Sequence, residues 1–108
     1  PRILVVDDDE EDVALLRELL IAGIGPDVVV HSAASVAEGL DRLAREPVDL
    51  CLVDWRIGET SGLAFLEQAR PIRPVPIVLL TGVGDPAVDR AAQGAGAAYY
   101  VEKTGLTI

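Results

Sequence analysis

The sequence predicts an α/β domain, a doubly wound, five-stranded parallel sheet with helices on both faces. Short apolar runs alternate with segments of helical spacing in the order β-α-β-α-β-α-β-α-β, and the connections between them are short. This alternation favours parallel strands joined by right-handed helical crossovers. The chain shows no internal repeat and no linker, and its 108 residues suffice for one domain over residues 1–108.

Composition and charge narrow the class of protein. Half of the residues are hydrophobic, which excludes a disordered chain. The net charge of −9 disfavours direct nucleic acid binding and suits a site that collects a cation. No apolar run approaches the roughly 20 residues of a membrane span, and no segment resembles a signal peptide. We therefore expect a cytoplasmic protein with no membrane contact. The single cysteine, Cys51, excludes an internal disulfide and is expected to be buried.

The first strand is predicted at Arg2–Val6, an apolar run that ends in the acidic stretch Asp7–Asp9. A helix follows, because Val13, Leu16 and Leu20 recur at helical spacing. Two glycines and a proline end that helix.

The second strand is predicted at Val28–Val30, with His31 after it as a structural or solvent-facing residue. Ser35 opens the second helix, and Glu38 three residues later indicates a capping box. Pro47 breaks this helix before the third strand begins.

The third strand is predicted at Val48–Asp54, a nearly continuous apolar run that ends in a carboxylate. Such a run indicates a strand buried on both faces. A charge inside it would carry a large desolvation cost, so Asp54 is placed at the carboxyl end, where open α/β sheets bind ligands. The segment Ile57–Gly62 is predicted as a loop, and the third helix carries Leu63 and Leu66.

The fourth strand, Ile77–Leu80, ends in Thr81, and a helix of mostly small residues follows from position 86. The fifth strand, Tyr99–Val101, is followed closely by Lys103. A further helix would ordinarily cover the sheet beyond the fifth strand, and we expect most or all of it to be missing from these 108 residues.

Polar residues therefore gather where four of the five strands end: Asp7, Asp8, Asp54, Thr81 and Lys103. Three carboxylates at one edge repel one another unless a cation lies between them. Oxygen ligands without histidine or cysteine favour Mg²⁺ or Mn²⁺ over zinc. With the ammonium of Lys103 and the hydroxyl of Thr81, such a metal suits a phosphoryl group. Either a bound small molecule carries that group, or a carboxylate attacks it and becomes an acyl phosphate.

Four separated motifs resemble the receiver domain of two-component response regulators, and together they run from Arg2 to Lys103. They are "ILVVDDDEED", "VDLCLVDWRIGETSGL", "PIVLLTGVGD" and "GAGAAYYVEK". The resemblance implies a flavodoxin-like sheet with strand order 2-1-3-4-5. It also implies a signalling domain and not an enzyme, apart from taking up and releasing its own phosphoryl group.

The resemblance also implies roles for single residues. Asp54 corresponds to the phosphoacceptor, which takes a phosphoryl group from a histidine kinase or a histidine phosphotransfer protein. Asp8 corresponds to a direct Mg²⁺ ligand and Asp7 to one acting mainly through metal-bound water. Arg56 would contribute its backbone carbonyl to the metal.

On the phosphoryl side, Thr81 and Lys103 correspond to the residues that hold phosphoryl oxygens. Tyr100 corresponds to the aromatic switch that turns inward when Thr81 moves. Receivers often use the surface made by the fourth helix, fifth strand and fifth helix for dimers or output contacts. The sequence is therefore compatible with a homodimer and with an output partner. It is also compatible with the chain being a stand-alone regulator or a segment of a longer or hybrid protein.

The chain departs from the receiver pattern in the loops around the site. Gly58 stands where many receivers have proline, which makes this loop less restrained. Lys103 is followed by Thr104 and not by a proline, the residue that usually brings a cis peptide. Arg56 either pairs with Glu59 or reaches the phosphoryl group.

Two other functions compete with the phosphoacceptor hypothesis. A degenerate receiver would serve only as a protein-binding module, but it would lack an acidic or lysine position that this chain has. A phosphohydrolase resembling haloacid dehalogenases would also use a strand-end aspartate with magnesium. Such an enzyme places a second aspartate two residues after the nucleophile, and here that position is Arg56.

Overall fold

The computed structural model describes residues 1–81 and 99–102. The strands are β1 (Arg2–Val6), β2 (Val29–Ala33), β3 (Leu50–Asp54), β4 (Arg56–Ile57), β5 (Thr60–Ser61), β6 (Ile77–Thr81) and β7 (Tyr99–Glu102). The helices are α1 (Glu10–Ile24), α2 (Val36–Arg45) and α3 (Gly62–Ala69). The predicted fourth helix and the region of the expected fifth helix lie outside the described residues.

Five parallel strands form one sheet in the order β2-β1-β3-β6-β7. Counted along this sheet alone, the order is 2-1-3-4-5, so the predicted fold class is confirmed. From β1 the chain adds β2 on one side of the sheet, and from β3 onward it adds strands on the other side. The point between β1 and β3 is therefore the topological switch point, where ligands bind in sheets of this kind. Asp54 is the last residue of β3, and Asp7 is the first residue after β1.

The core consists of two apolar clusters, one on each face of the sheet. Along β1, Leu4 and Val6 belong to the cluster that packs under α2 and α3, while Ile3 and Val5 belong to the one under α1. All four are at most 2% exposed. Each such side chain contributes about 2 kcal/mol of hydrophobic stabilisation, so β1 is fixed from both sides. None of the described helices has the length and apolarity that a membrane crossing would require.

The second strand runs further than predicted, because its pairing with β1 continues through Val6 and Ala33. His31 therefore lies within β2 and not after it. Polar residues are tolerated there because β2 is an edge strand, and its polar residues His31 and Ser32 are only partly buried. The His31 Nδ1 atom lies 3.9 Å from Oε2 of Glu46, which also receives a hydrogen bond from Arg42.

Side chains cap the first two helices at their amino ends. Asp9 caps α1 by accepting a hydrogen bond from the backbone N–H of Glu11 at 2.9 Å. Ser35 caps α2 by accepting from the N–H of Glu38 at 3.1 Å. In the predicted capping box, the Glu38 carboxylate would accept a hydrogen bond from the N–H of Ser35. Here it accepts from the N–H of the preceding residue, Ala34, at 3.1 Å.

Gly62, the first residue of α3, lies directly against the end of β3. A Cβ atom at this position would collide with the backbone oxygen of Asp54 and would lie 2.9 Å from Leu79 and 3.1 Å from Val53. The backbone oxygen cannot move aside without disturbing β3. The glycine thus allows α3 to begin close to the strand that ends in Asp54.

Replacing Gly62 with alanine should lower the free energy of unfolding by about 1–3 kcal/mol, because the added methyl overpacks the junction of β3 and α3. Gly23→Ala is the matched control, since a Cβ there meets nothing within 4 Å. In α1 it should be neutral or stabilising by up to about 1 kcal/mol. Urea unfolding of the three proteins measures both effects, and equal stability of Gly62→Ala and wild type would contradict the packing described here.

Cys51 lies within β3 and is fully buried, as predicted. Burial disfavours the thiolate and raises the pKa of this thiol to about 12. The folded protein at pH 8 should therefore leave Cys51 unmodified by a thiol-specific reagent, while protein in denaturant should react fully. Mass spectrometry after timed exposure measures this, and rapid labelling under native conditions would contradict it.

Candidate functional site

The carboxyl edge of the sheet brings three acidic side chains together. Asp7, Asp8 and Asp54 each present a carboxylate oxygen, and these oxygens lie within 4.8 Å of one another. The backbone explains the meeting, because Val6 of β1 is in register with Val53 of β3. The residue that follows each of them in the chain is an aspartate, Asp7 after Val6 and Asp54 after Val53.

Asp7 is the buried member of the group and is 3% exposed. Its Oδ1 accepts a hydrogen bond from the backbone N–H of Asp9 at 2.9 Å. Its own N–H donates to the carbonyl of Ala33 at 3.0 Å, which ties the end of β1 to β2. A buried carboxylate needs such donors, because desolvation of an uncompensated charge is costly.

Asp8 is exposed and contacts the chain segment that follows β3. Its Oδ2 accepts a hydrogen bond from the backbone N–H of Gly58 at 2.9 Å. The two residues are 50 positions apart, so this bond links the acidic turn after β1 to the turn after β3.

Asp54 is the last residue of β3 and is partly buried. The backbone just beyond it is held on two sides. The N–H of Trp55 donates to the carbonyl of Leu80 at 2.7 Å, and the carbonyl of Trp55 accepts from the N–H of Gly62 at 2.8 Å. Asp54 therefore emerges from a fixed strand end, next to β6 and to the start of α3.

The segment predicted as a loop contains a short antiparallel hairpin. Arg56 pairs with Ser61 and Ile57 with Thr60, which leaves Gly58 and Glu59 in the turn. Gly58 has φ +59°, a value that suits the first position of a two-residue hairpin turn. The Gly-Glu pair between two β-branched residues was a signal for this turn, and the sequence prediction missed it.

The other predicted site residues are only partly covered by the described structure. Thr81 is the last residue of β6 and pairs with Glu102 of β7. Tyr100 pairs with Leu79. Arg56 is exposed in the hairpin. Lys103 lies outside the described residues, so its predicted place beside Asp54 stays a prediction.

The acidic cluster has the donor chemistry of a hard-cation site. It offers oxygen atoms alone, with no histidine or cysteine among the described groups that could share a metal. Three carboxylates this close repel one another, and a divalent cation relieves that repulsion. Asp7 and Asp8 also line an open cavity of about 350 Å³ beside α1, and Asp54 does not line it.

Comparison with known sequences finds one family over nearly the whole chain. The family described as "Response regulator receiver domain" matches residues 3–106. The chain is 37% identical over 91 residues to the response regulator protein PilR from Pseudomonas aeruginosa. That match covers 82% of this chain and 20% of PilR, so the chain spans about a fifth of that relative's length.

Comparison with solved structures gives the same result. A CheY-like receiver domain from Methanospirillum hungatei superposes with a TM-score of 0.83 at 30% identity, covering 94% of this chain and 80% of that one. A response regulator from Burkholderia pseudomallei has a TM-score of 0.82 at 30% identity, covering 94% and 59%. The latter crystal structure contains a phosphorylated aspartic acid, a calcium ion and citrate.

Proposed function

The chain belongs to the family of response regulator receiver domains, and we propose that Asp54 is the residue on which it accepts a phosphoryl group. The domain is a signalling unit of two-component systems, a class that is phosphorylated on aspartate. The observation that carries the assignment is the meeting of three carboxylates at the ends of β1 and β3. We further propose that residues 1–108 act as one phosphoacceptor domain.

Among the three carboxylates, Asp54 is the best nucleophile on grounds of its setting. Asp7 is buried at 3% exposure, and Asp8 lies beyond the end of β1 in the turn before α1. Asp54 is partly buried and stands at the rigid end of a central strand. A nucleophile held this way loses little freedom when it reaches the reacting phosphorus.

In the transfer, a carboxylate oxygen of Asp54 attacks the phosphorus of the donor, a phosphohistidine of a histidine kinase or phosphotransfer protein. The new O–P bond forms as the N–P bond breaks, and the bonding pair stays on the imidazole nitrogen. Thr81 and Lys103 take the roles of holding the phosphoryl oxygens, following their match to the receiver motifs. Tyr100 takes the role of the switch that follows Thr81.

Asp7, Asp8 and Asp54, with the backbone carbonyl of Arg56, are the residues that would hold Mg²⁺, or Mn²⁺ in its place. A bound divalent cation supplies the positive charge that lets an anionic donor approach an anionic acceptor. Asp8 would ligate directly, and Asp7 would act mainly through metal-bound water.

The phosphoryl group adds negative charge at Asp54, and we propose that the response is a change in a protein-interaction surface near β7. The partners are the phosphodonor protein and an output protein or domain, with a homodimer as one form of the response. We propose a cytoplasmic location, in line with a kinase as the phosphodonor.

The test is incubation of the protein with Mg²⁺ and acetyl phosphate, followed by intact mass measurement. Wild type should gain one acid-labile phosphoryl group and Asp54→Asn none, because the amide is not a nucleophile of this kind. Asp9→Asn is the matched control, since it removes a neighbouring carboxylate while keeping the α1 cap. It should be labelled like wild type.

Two further arms test the metal. Removal of Mg²⁺ with a chelator should abolish the labelling of wild type, and Asp8→Ala should slow it at least about tenfold at a fixed Mg²⁺ concentration. Labelling of Asp54→Asn to the wild-type level would contradict the phosphoacceptor assignment. Undiminished labelling of Asp8→Ala would contradict the metal assignment alone.

A further inference from the structure

The hydrogen bond between Gly58 and Asp8 joins the hairpin turn to the acidic cluster, and the two are far apart in sequence. We propose that the backbone N–H of Gly58 is a positioning group for Asp8, which holds this carboxylate ready for a divalent cation. The inference rests on the proposed function of the site. The inference assigns a role to Gly58, which would act through its backbone N–H by orienting the metal ligand Asp8.

The first support is that Asp8 accepts the hydrogen bond from Gly58 while its carboxylate is part of the acidic cluster. Asp8 accepts from Gly58 at 2.9 Å while one of its oxygens lies within 4.8 Å of the carboxylate oxygens of Asp7 and Asp54. A carboxylate has about four acceptor positions on its two oxygens, so one N–H leaves capacity for a cation. Donors in this position orient a metal ligand and reduce the entropy lost on binding.

The backbone at Gly58 is the second support. Its φ of +59° lies in the left-handed region, and a Cβ atom placed there would meet nothing within 4 Å. Packing therefore does not demand a glycine. The backbone here is left-handed and its N–H donates to Asp8, and proline can supply neither feature because its φ is near −65° and it has no N–H.

The rigidity of the donor is the third support. Ile57, next to Gly58, is 2% exposed and belongs to the larger core cluster. The strands that flank the turn pair with each other, and the carbonyl of Trp55 accepts from the N–H of Gly62. The N–H of Gly58 is therefore presented from a turn anchored on both sides, as a positioning group requires.

The test is a Mg²⁺ titration followed by the fluorescence of Trp55, the only tryptophan in the chain and the neighbour of Asp54. Gly58→Pro removes the N–H and should weaken the apparent Kd for Mg²⁺ about tenfold, the low end for loss of an outer partner of a metal ligand. Gly58→Asn keeps the N–H and tolerates the left-handed backbone. The Gly58→Asn variant should therefore bind Mg²⁺ with the affinity of wild type.

Equal Mg²⁺ affinity of Gly58→Pro and wild type would overturn the proposal. Tighter binding by Gly58→Pro would also overturn it, because the N–H would then compete with the cation. If wild type neither responds to Mg²⁺ nor accepts a phosphoryl group, the proposed function of the site fails as well. A normal wild-type response with an unaffected proline variant contradicts only the role of Gly58.

A second measurement keeps the proposal testable if Gly58→Pro does not fold. The amide proton of Gly58 should exchange with solvent more slowly in wild type than in Asp8→Ala, as followed by NMR. The amides of Arg56 and Ile57 serve as internal references for general loosening. Equal exchange at Gly58 in the two proteins, with unchanged references, would overturn the proposal.

Discussion

Repulsion among the carboxylates of Asp7, Asp8 and Asp54 is the physical constraint on which the rest of this structure depends. The sheet forces them together, because β1 and β3 are central neighbours locked by apolar packing on both faces. Strands fixed this firmly cannot separate to relieve the charge. The turns around the site supply donors to these carboxylates, and a cation, which we propose binds here, would relieve the remaining repulsion.

Two of the donors that the described residues supply are backbone N–H groups, one from each of two turns. The N–H of Asp9 reaches Asp7 from the start of α1, and the N–H of Gly58 reaches Asp8 from the hairpin. Backbone donors carry no net charge, so they orient the carboxylates without neutralising them. Carboxylates oriented in this way suit the hard cation that we propose for this site, which an aspartate nucleophile facing an anionic donor would need.

Burial and strand order made the centre of the sheet predictable from the sequence alone. The run that ends in Asp54 had to be a central strand, and the acids after β1 had to lie beside it. The ends of the strands were harder to predict. His31 is polar, yet it continues the edge strand β2, because backbone hydrogen bonds to β1 hold that strand. The bond from Gly58 to Asp8 spans 50 positions and involves an N–H that every residue except proline carries, so no side-chain pattern marked it.

The identity of the nucleophile can be determined directly on the phosphorylated protein. Treatment with borohydride reduces an aspartyl phosphate to homoserine at the modified position, and peptide mass spectrometry then locates it. Reduction should occur at position 54 alone, with the acidic stretch after β1 unchanged. A modified residue at position 7, 8 or 9, with position 54 intact, would contradict the mechanism.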